Sequence, residues 1–143
     1  ALLGDELKKL NADVYAFIEI VNKDAFSKLM KTYLPGFSSL VTNCGGGGKQ
    51  NLAFAYNPQV FSHVSTVEDL SFSLGGGRAC GSLRPVFIVT LQHKETKENH
   101  SFIIGHLKAG GDSRAFSQRW KQYDMLKDLL AKYEKKNYVL MGD

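Results

Sequence analysis

No apolar stretch in the sequence approaches the ~20 residues that a membrane-spanning helix needs. The strongest, Val86-Phe87-Ile88-Val89, runs straight into Thr90, Gln92 and His93, which excludes insertion as a spanning helix. Cysteine is scarce: only Cys44 and Cys80 are present. The four histidines (His63, His93, His100 and His106) have neither zinc-type spacing with the cysteines nor a His-x-x-x-His pair, which argues against structural zinc. Internal repeats and low-complexity tracts are absent apart from glycine runs. A chain of 143 residues, 43% of them hydrophobic, can bury roughly two thirds of the surface its unfolded form exposes. It therefore needs no metal or disulfide merely to hold a core, and residues 1–143 read as one domain.

Both cysteines lie in glycine-rich segments, Asn43-Cys44-Gly45-Gly46-Gly47-Gly48 and Gly75-Gly76-Gly77-Arg78-Ala79-Cys80-Gly81, and both read as loop residues. If paired, they would stabilise the fold by about 4 kcal/mol on the chain-entropy estimate and imply an oxidising compartment; two free thiols are the alternative. Residue 1 is Ala rather than Met. An N-terminal segment already removed fits that and slightly favours a secreted or periplasmic protein over a cytoplasmic one; a chain simply trimmed at this point is the alternative.

The formal charge of +4 is unevenly placed. Residues 1–76 carry 6 basic and 7 acidic side chains, residues 77–143 carry 12 and 7. The second half can face an anion, or its charge can be the solvated exterior of a helix between Arg119 and Lys136.

Leu2, Leu3, Leu7 and Leu10 fall on one helical face, so residues 2–11 read as a short amphipathic helix ended by Asn11. Residues 13–20 are apolar on both alternating faces, as in a central strand. Glu19 is the exception. A carboxylate near the end of a buried strand asks for a partner, either a buried salt bridge or a metal. A helix is expected over 24–33, a turn at Pro35-Gly36 and a strand over 37–42. Residues 51–56 and 60–64 read as a hairpin about Asn57-Pro58-Gln59, and 86–92 with 100–106 as a second antiparallel pair. Phe116, Trp120, Tyr123, Leu126, Leu130 and Tyr133 advance by three or four. They predict one long helix, capped by Asp112 or Ser113 and running to about Lys136. A buried strand, Tyr138–Met141, follows. The sum is an α/β chain of the α+β type, a mainly antiparallel sheet with helices on one face.

Several nucleotide and hydrolase motifs fail. A phosphate loop at Gly45–Gln50 would need Gly at Asn43 and Ser or Thr at Gln50. A dinucleotide fingerprint starting at Gly75 would need Gly at Cys80. The Gly-x-Ser-x-Gly elbow is missing. What remains is a set of polar residues at the ends of apolar strands: Glu19, Arg84 beside Pro85, His106 and Asp143. Phosphoester hydrolysis uses this chemistry. Carboxylates hold a divalent cation that polarises a phosphoryl oxygen, while Arg and His donate to oxygens that gain negative charge.

The order of these segments carries a resemblance. Ala12 to Ile20, with Ile18-Glu19-Ile20, is similar to a strand ending in Gln-Glu-Val; Leu52 to Pro58 is similar to the strand and turn that follow. Leu83-Arg84-Pro85, Gly105-His106-Leu107-Lys108-Ala109, Arg119-x-x-Gln122-x-x-x-Leu126 and Tyr138-Val139-Leu140-Met141-Gly142-Asp143 come next in the same sequence. Together they resemble the endonuclease/exonuclease/phosphatase family, the fold of pancreatic-type deoxyribonuclease, sphingomyelinases and inositol-polyphosphate phosphatases.

The resemblance implies a divalent-metal-dependent phosphodiester hydrolase, nuclease-like, using Mg2+ (or Mn2+/Ca2+). In that reading Glu19 is the metal ligand and, with His106 and Asp143, catalytic; Asp143 aligns or activates the water. Arg84 and Lys108 meet the phosphate, and Arg119 and Lys121 assist approach of nucleic acid or another phosphodiester. The family's opening metal-site Asn strand, its Phe-Asn after Gly-Asp and its closing Asp-His pair have no counterpart here. The expectation is therefore one half of a four-layer α/β sandwich, an incomplete domain with an exposed sheet face open to association. A catalytically silent phosphate-binding or interaction module on part of the same fold is the alternative.

Overall fold

Among the described residues, seven strands and three helices, ordered so that apolar faces meet in pairs, position the polar strand ends. The structure, a computed structural model, describes residues 2–76 and 79–143; Gly77 and Arg78, part of the second glycine-rich loop, lie outside them, as does Ala1. In chain order the elements are α1 (Leu2–Leu10), β1 (Val14–Ile20), α2 (Lys23–Tyr33), β2 (Ser38–Val41), β3 (Asn51–Tyr56), β4 (Phe61–Asp69), a 3₁₀ turn (Leu70–Ser73), β5 (Val86–His93), β6 (Asn99–Gly105), α3 (Ser113–Ala131) and β7 (Asn137–Gly142). No helix among the described residues is long and apolar enough to cross a membrane.

The strands form two sheets, β1-β3-β2 and β4-β5-β6-β7. All pairings are antiparallel except β6 with β7, which run parallel. The inner faces pack on one another: Leu52, Phe54 and Tyr56 of β3 meet Phe87, Val89 and Leu91 of β5 and Phe102 and Ile104 of β6. Each fully buried Phe or Leu there stabilises the fold by about 1.5–3 kcal/mol. The alternate residues face outward. Ala53 and Ala55 are small enough for α1 and α2 to approach, and Leu7, Phe26, Met30 and Leu34 cover them. Val86, Ile88 and Ile103 meet Leu129 and Phe72 on the far side. Helix, sheet, sheet and helix thus form four layers within this chain.

The α/β class and the predominance of antiparallel pairing hold. The expected single sheet is corrected to two, each covered by helix on its outer face. The expected hairpin is also corrected: β3 and β4 do not pair but belong to different sheets, so Asn57-Pro58-Gln59 is a crossing between layers. Both strands had good β patterns, and a pattern does not name a partner. β7, expected to be buried, has Tyr138, Val139 and Leu140 exposed at 39%, 47% and 45%, because it is the last strand of its sheet.

Local chemistry sets the boundaries. Asn11, just beyond α1, takes the left-handed conformation (φ 46°) that asparagine tolerates after a helix. Asn22 and Asp112 cap α2 and α3, their side chains accepting from the amides of Ala25 and Ala115. That hydrogen bond holds the Asp112 carboxyl below its ordinary range. α3 ends at Ala131, and turns to Lys136 replace its expected last turn.

Candidate active site

Glu19 sits on a β-bulge. Phe17 pairs with Ala53 and Ile20 with Asn51, so β1 carries one residue more than β3 across this interval. Regular alternation would put Glu19 on the face of Tyr15 and Phe17, under α2. The bulge gives that place to Ile20, which packs with Phe17 and Phe26. Glu19 itself adopts φ 61°, a left-handed conformation costing a non-glycine residue about 1–2 kcal/mol. Bulges re-aim side chains, and backbone strain of this kind collects at functional sites. The expected buried carboxylate is thereby corrected: the Glu19 side chain is 57% exposed.

Its neighbours come from three other segments. Gln50 donates from Nε2 to Glu19 Oε1 at 3.3 Å and accepts at Oε1 from Arg84 Nη1 at 3.3 Å. Arg84 in turn donates from Nε to the His106 carbonyl (3.1 Å) and from Nη2 to the Leu107 carbonyl (2.5 Å). His106 Nε2 lies 3.8 Å from Glu19 Oε1. Glu19, Gln50, Arg84 and the His106–Leu107 segment form a closed circuit between the two sheets.

Backbone close approach builds this circuit. Gly46 (φ 68°) presses against Leu83, where a Cβ would stand 2.8 Å from the Leu83 carbonyl carbon, and Gly47 N donates to Ser82 O. The glycine run so dismissed as a phosphate loop instead lays residues 45–50 along 82–84. Cys44 and Cys80 are joined in a disulfide, with Cα atoms 5.5 Å apart, which settles the open pairing. Glu68 accepts from the amides of Asn43 and Cys44 and ties the same loop to β4.

Asp143 follows β7 and lies beside His106. Its amide donates to Gly105 O at 3.1 Å and its carbonyl accepts from Leu107 N at 2.9 Å. Gly142 must be glycine here: at φ 125° a Cβ would collide with the Gly105 carbonyl oxygen. Lys108 is held from both sides, its amide donating to Gln122 Oε1 and its carbonyl accepting from Arg119 Nη1. Gln122, only 1% exposed, also donates to Phe72 O, so one amide side chain staples the segment to α3 and the 3₁₀ turn. Arg84, Lys108 and Arg114 share the wall of an open groove of ≈ 440 Å³.

The electrostatics follow from burial. His106 is 7% exposed; burial, then the Arg84 charge, lower its pKa, against the opposing pull of Glu19 and Asp143. Its Nδ1 is buried with no hydrogen-bond partner among the described residues. An orphan nitrogen of this kind costs about 1–3 kcal/mol and marks a place completed by water or ligand. Burial also lowers the Arg84 pKa, with Glu19 opposing, and a guanidinium stays charged regardless.

No group of three or more His, Cys, Asp or Glu side chains converges among the described residues. A hard cation of the Mg2+ type keeps several of its waters and takes one or two carboxylates; in this circuit Glu19 is the one exposed carboxylate.

The structure thus brings Glu19, Arg84 and His106 into contact, sets Asp143 beside them, and leaves Lys108 along the adjoining groove. Gln50 was not singled out from sequence. The available signal was a polar residue one position beyond a glycine run, after Lys49, and directly before a wholly buried strand.

Solved structures share this arrangement of layers across 99% of the chain. They include the human Nocturnin catalytic domain with bound sulfate anion (16% identity, TM-score 0.74, 54% of that chain) and D. rerio TDP2 complexed with single strand DNA product (13%, 0.77, 51%). An endonuclease/exonuclease/phosphatase family protein from Bacteroides thetaiotaomicron also matches (17%, 0.69, 53%). The chain has the endonuclease/exonuclease/phosphatase fold. It spans about half the length of these solved chains. No protein-family profile and no curated protein sequence matches it. Within this fold the circuit around Glu19 lies at the C-terminal ends of β1, β6 and β7, where loops from both sheets meet.

Proposed function

We propose that this chain carries the chemistry of a divalent-metal-dependent phosphodiester hydrolase acting on nucleic acid, DNA or RNA. The observation that carries the reading is the circuit Glu19–Gln50–Arg84–His106 at the strand ends, with Asp143 alongside. The sulfate of Nocturnin and the DNA product of TDP2 support it by fold.

Glu19 would hold Mg2+ (or Mn2+/Ca2+). When bound, such a cation supplies polarisation of a phosphoryl oxygen and stabilises the leaving oxyanion. The remaining work belongs to the side chains. Three of the five Arg84 N–H groups engage protein acceptors, leaving two for phosphate oxygens as their charge grows. His106, kept neutral by burial, can take or give a proton at a substrate oxygen. Asp143, exposed at its strand end, aligns or activates the attacking water. Lys108 lines the groove as a phosphate contact. The disulfide supports an oxidising address, secreted or periplasmic.

The test is nicking of supercoiled plasmid by the 143-residue chain in Mg2+ or EDTA, with calorimetry of Mg2+ binding. Nicking abolished by EDTA and by Glu19→Gln, with loss of the binding heat in the variant, is the expected result. Nicking indifferent to EDTA sinks the metal assignment. Folded chain that neither nicks nor binds Mg2+ leaves the silent phosphate-binding module.

A further inference from the structure

The apolar stripe of α3 divides in two. Met125, Leu126 and Leu130, with Tyr133 just beyond the helix, pack into the outer core with Leu129. Phe116, Trp120 and Tyr123 do not: they are 59%, 56% and 54% exposed. At about 100° per residue these three lie roughly 90–150° around the helix from the buried seam of Ala115 and Gln122. They stack on one another instead. The rings of Phe116 and Trp120 are 6.3 Å apart at 17°, and those of Trp120 and Tyr123 5.8 Å apart at 27°. With Leu107 and Arg119 they line a shallow groove of ≈ 310 Å³. Leu107 follows His106 and is held by Arg84, so the ring ladder adjoins the segment that carries the candidate site.

The surroundings are cationic. Arg119 donates from Nη1 to the carbonyls of Lys108 and Gly110, which fixes its charge beside the rings. Among the described residues, Arg119, which lines the groove, and Lys108, whose carbonyl it holds, have no carboxylate within 4.0 Å. An exposed aromatic ladder with unpaired cations beside it matches the two requirements of single-strand binding: π faces for bases and positive charge for phosphates. Duplex bases already stack on each other, and their faces are closed to such rings.

We propose that Phe116, Trp120 and Tyr123 form a stacking platform for the unpaired bases of single-stranded nucleic acid, with Arg119 and Lys108 on its phosphates. This deepens the hydrolase reading and rests on it for the path from platform to His106. The binding itself requires no metal and no turnover.

Trp120 is the only tryptophan, so quenching of its fluorescence reports stacking directly. In EDTA, the chain is titrated with a short oligothymidylate, an abasic strand of equal charge, and the same oligonucleotide as duplex. The expected result is saturable quenching by the single strand, with abasic and duplex forms roughly tenfold weaker or more. Phe116→Ser/Tyr123→Ser, which alters only exposed rings, should weaken binding to a similar degree with an unchanged circular dichroism spectrum. Equal affinity for abasic and base-bearing strands overturns the proposal. So does a shift of Trp120 emission with protein concentration alone, the mark of a second copy on this face, or one produced by phosphatidylcholine vesicles in place of nucleic acid. Quenching without nicking in Mg2+ retains the platform and removes the hydrolase; nicking without quenching does the reverse.

Discussion

His106 Nε2 lies 3.8 Å from Glu19 Oε1, joining the end of one sheet to a bulge in the other. One partner is 7% exposed and the other 57%. The buried imidazole therefore sits in the field of a carboxylate that water and ligand can reach.

Glu19 tolerates a conformation that glycine prefers. Glu19→Gly should be more stable than Glu19→Ala by about 1 kcal/mol, since only alanine retains the left-handed strain. Both variants should lose Mg2+-dependent cleavage. Chemical denaturation alongside the nicking assay checks this; equal stabilities would show that the bulge carries no strain.

Arg84→Lys keeps the charge and removes the fork that holds the His106 and Leu107 carbonyls. A loss of about 1–3 kcal/mol of stability is expected, with a fall in turnover. Denaturation midpoints of the two proteins measure it, and an unchanged midpoint would mean the fork does not fix the segment.

Acid should act through His106. Its folded pKa is depressed by burial and by Arg84, so the unfolded chain binds the proton more readily. Stability is complete above the ordinary histidine value of 6.5 and declines as pH falls from there towards the depressed folded value. His106→Asn should flatten that decline. A pH series of denaturation curves decides it, and the same slope in both proteins would assign the loss to other groups.

The Cys44–Cys80 bridge closes a loop spanning 36 positions and anchors the segment that carries Gln50. Cys44→Ser/Cys80→Ser should cost about 4 kcal/mol on the chain-entropy estimate. It should also weaken Mg2+ binding by roughly tenfold through loss of Gln50 support to Glu19. Denaturation with and without reductant, followed by calorimetry, tests both parts; indifference to reductant would mean the bridge is not formed in solution.

Much of the secondary structure was legible because it depends on short-range patterns. The continuous β-type runs of β3, β5 and β6 and the three-and-four spacing of α3 gave elements within a few residues of those found. Glu19, Arg84, His106 and Asp143 stood out as polar residues interrupting or ending apolar strands. Gln50 did not, since an amide in a loop has no distinguishing pattern until the groups it serves are located, and Gln122 entered only as part of the resemblance at Arg119-x-x-Gln122-x-x-x-Leu126, its bonds to Lys108 and Phe72 being set by the fold.

What the sequence determined by itself was the local geometry of the chain and the residue types able to handle a phosphodiester, both set by steric preference and side-chain chemistry. Which strands pair, that β3 and β4 part into different sheets, and that Glu19 leaves the core on a bulge were decided only by tertiary structure. The reason is physical: alternation tells each strand which face to bury. The partner that buries it is chosen by the packing of both sheets at once, and the strand ends meet only after that choice is made.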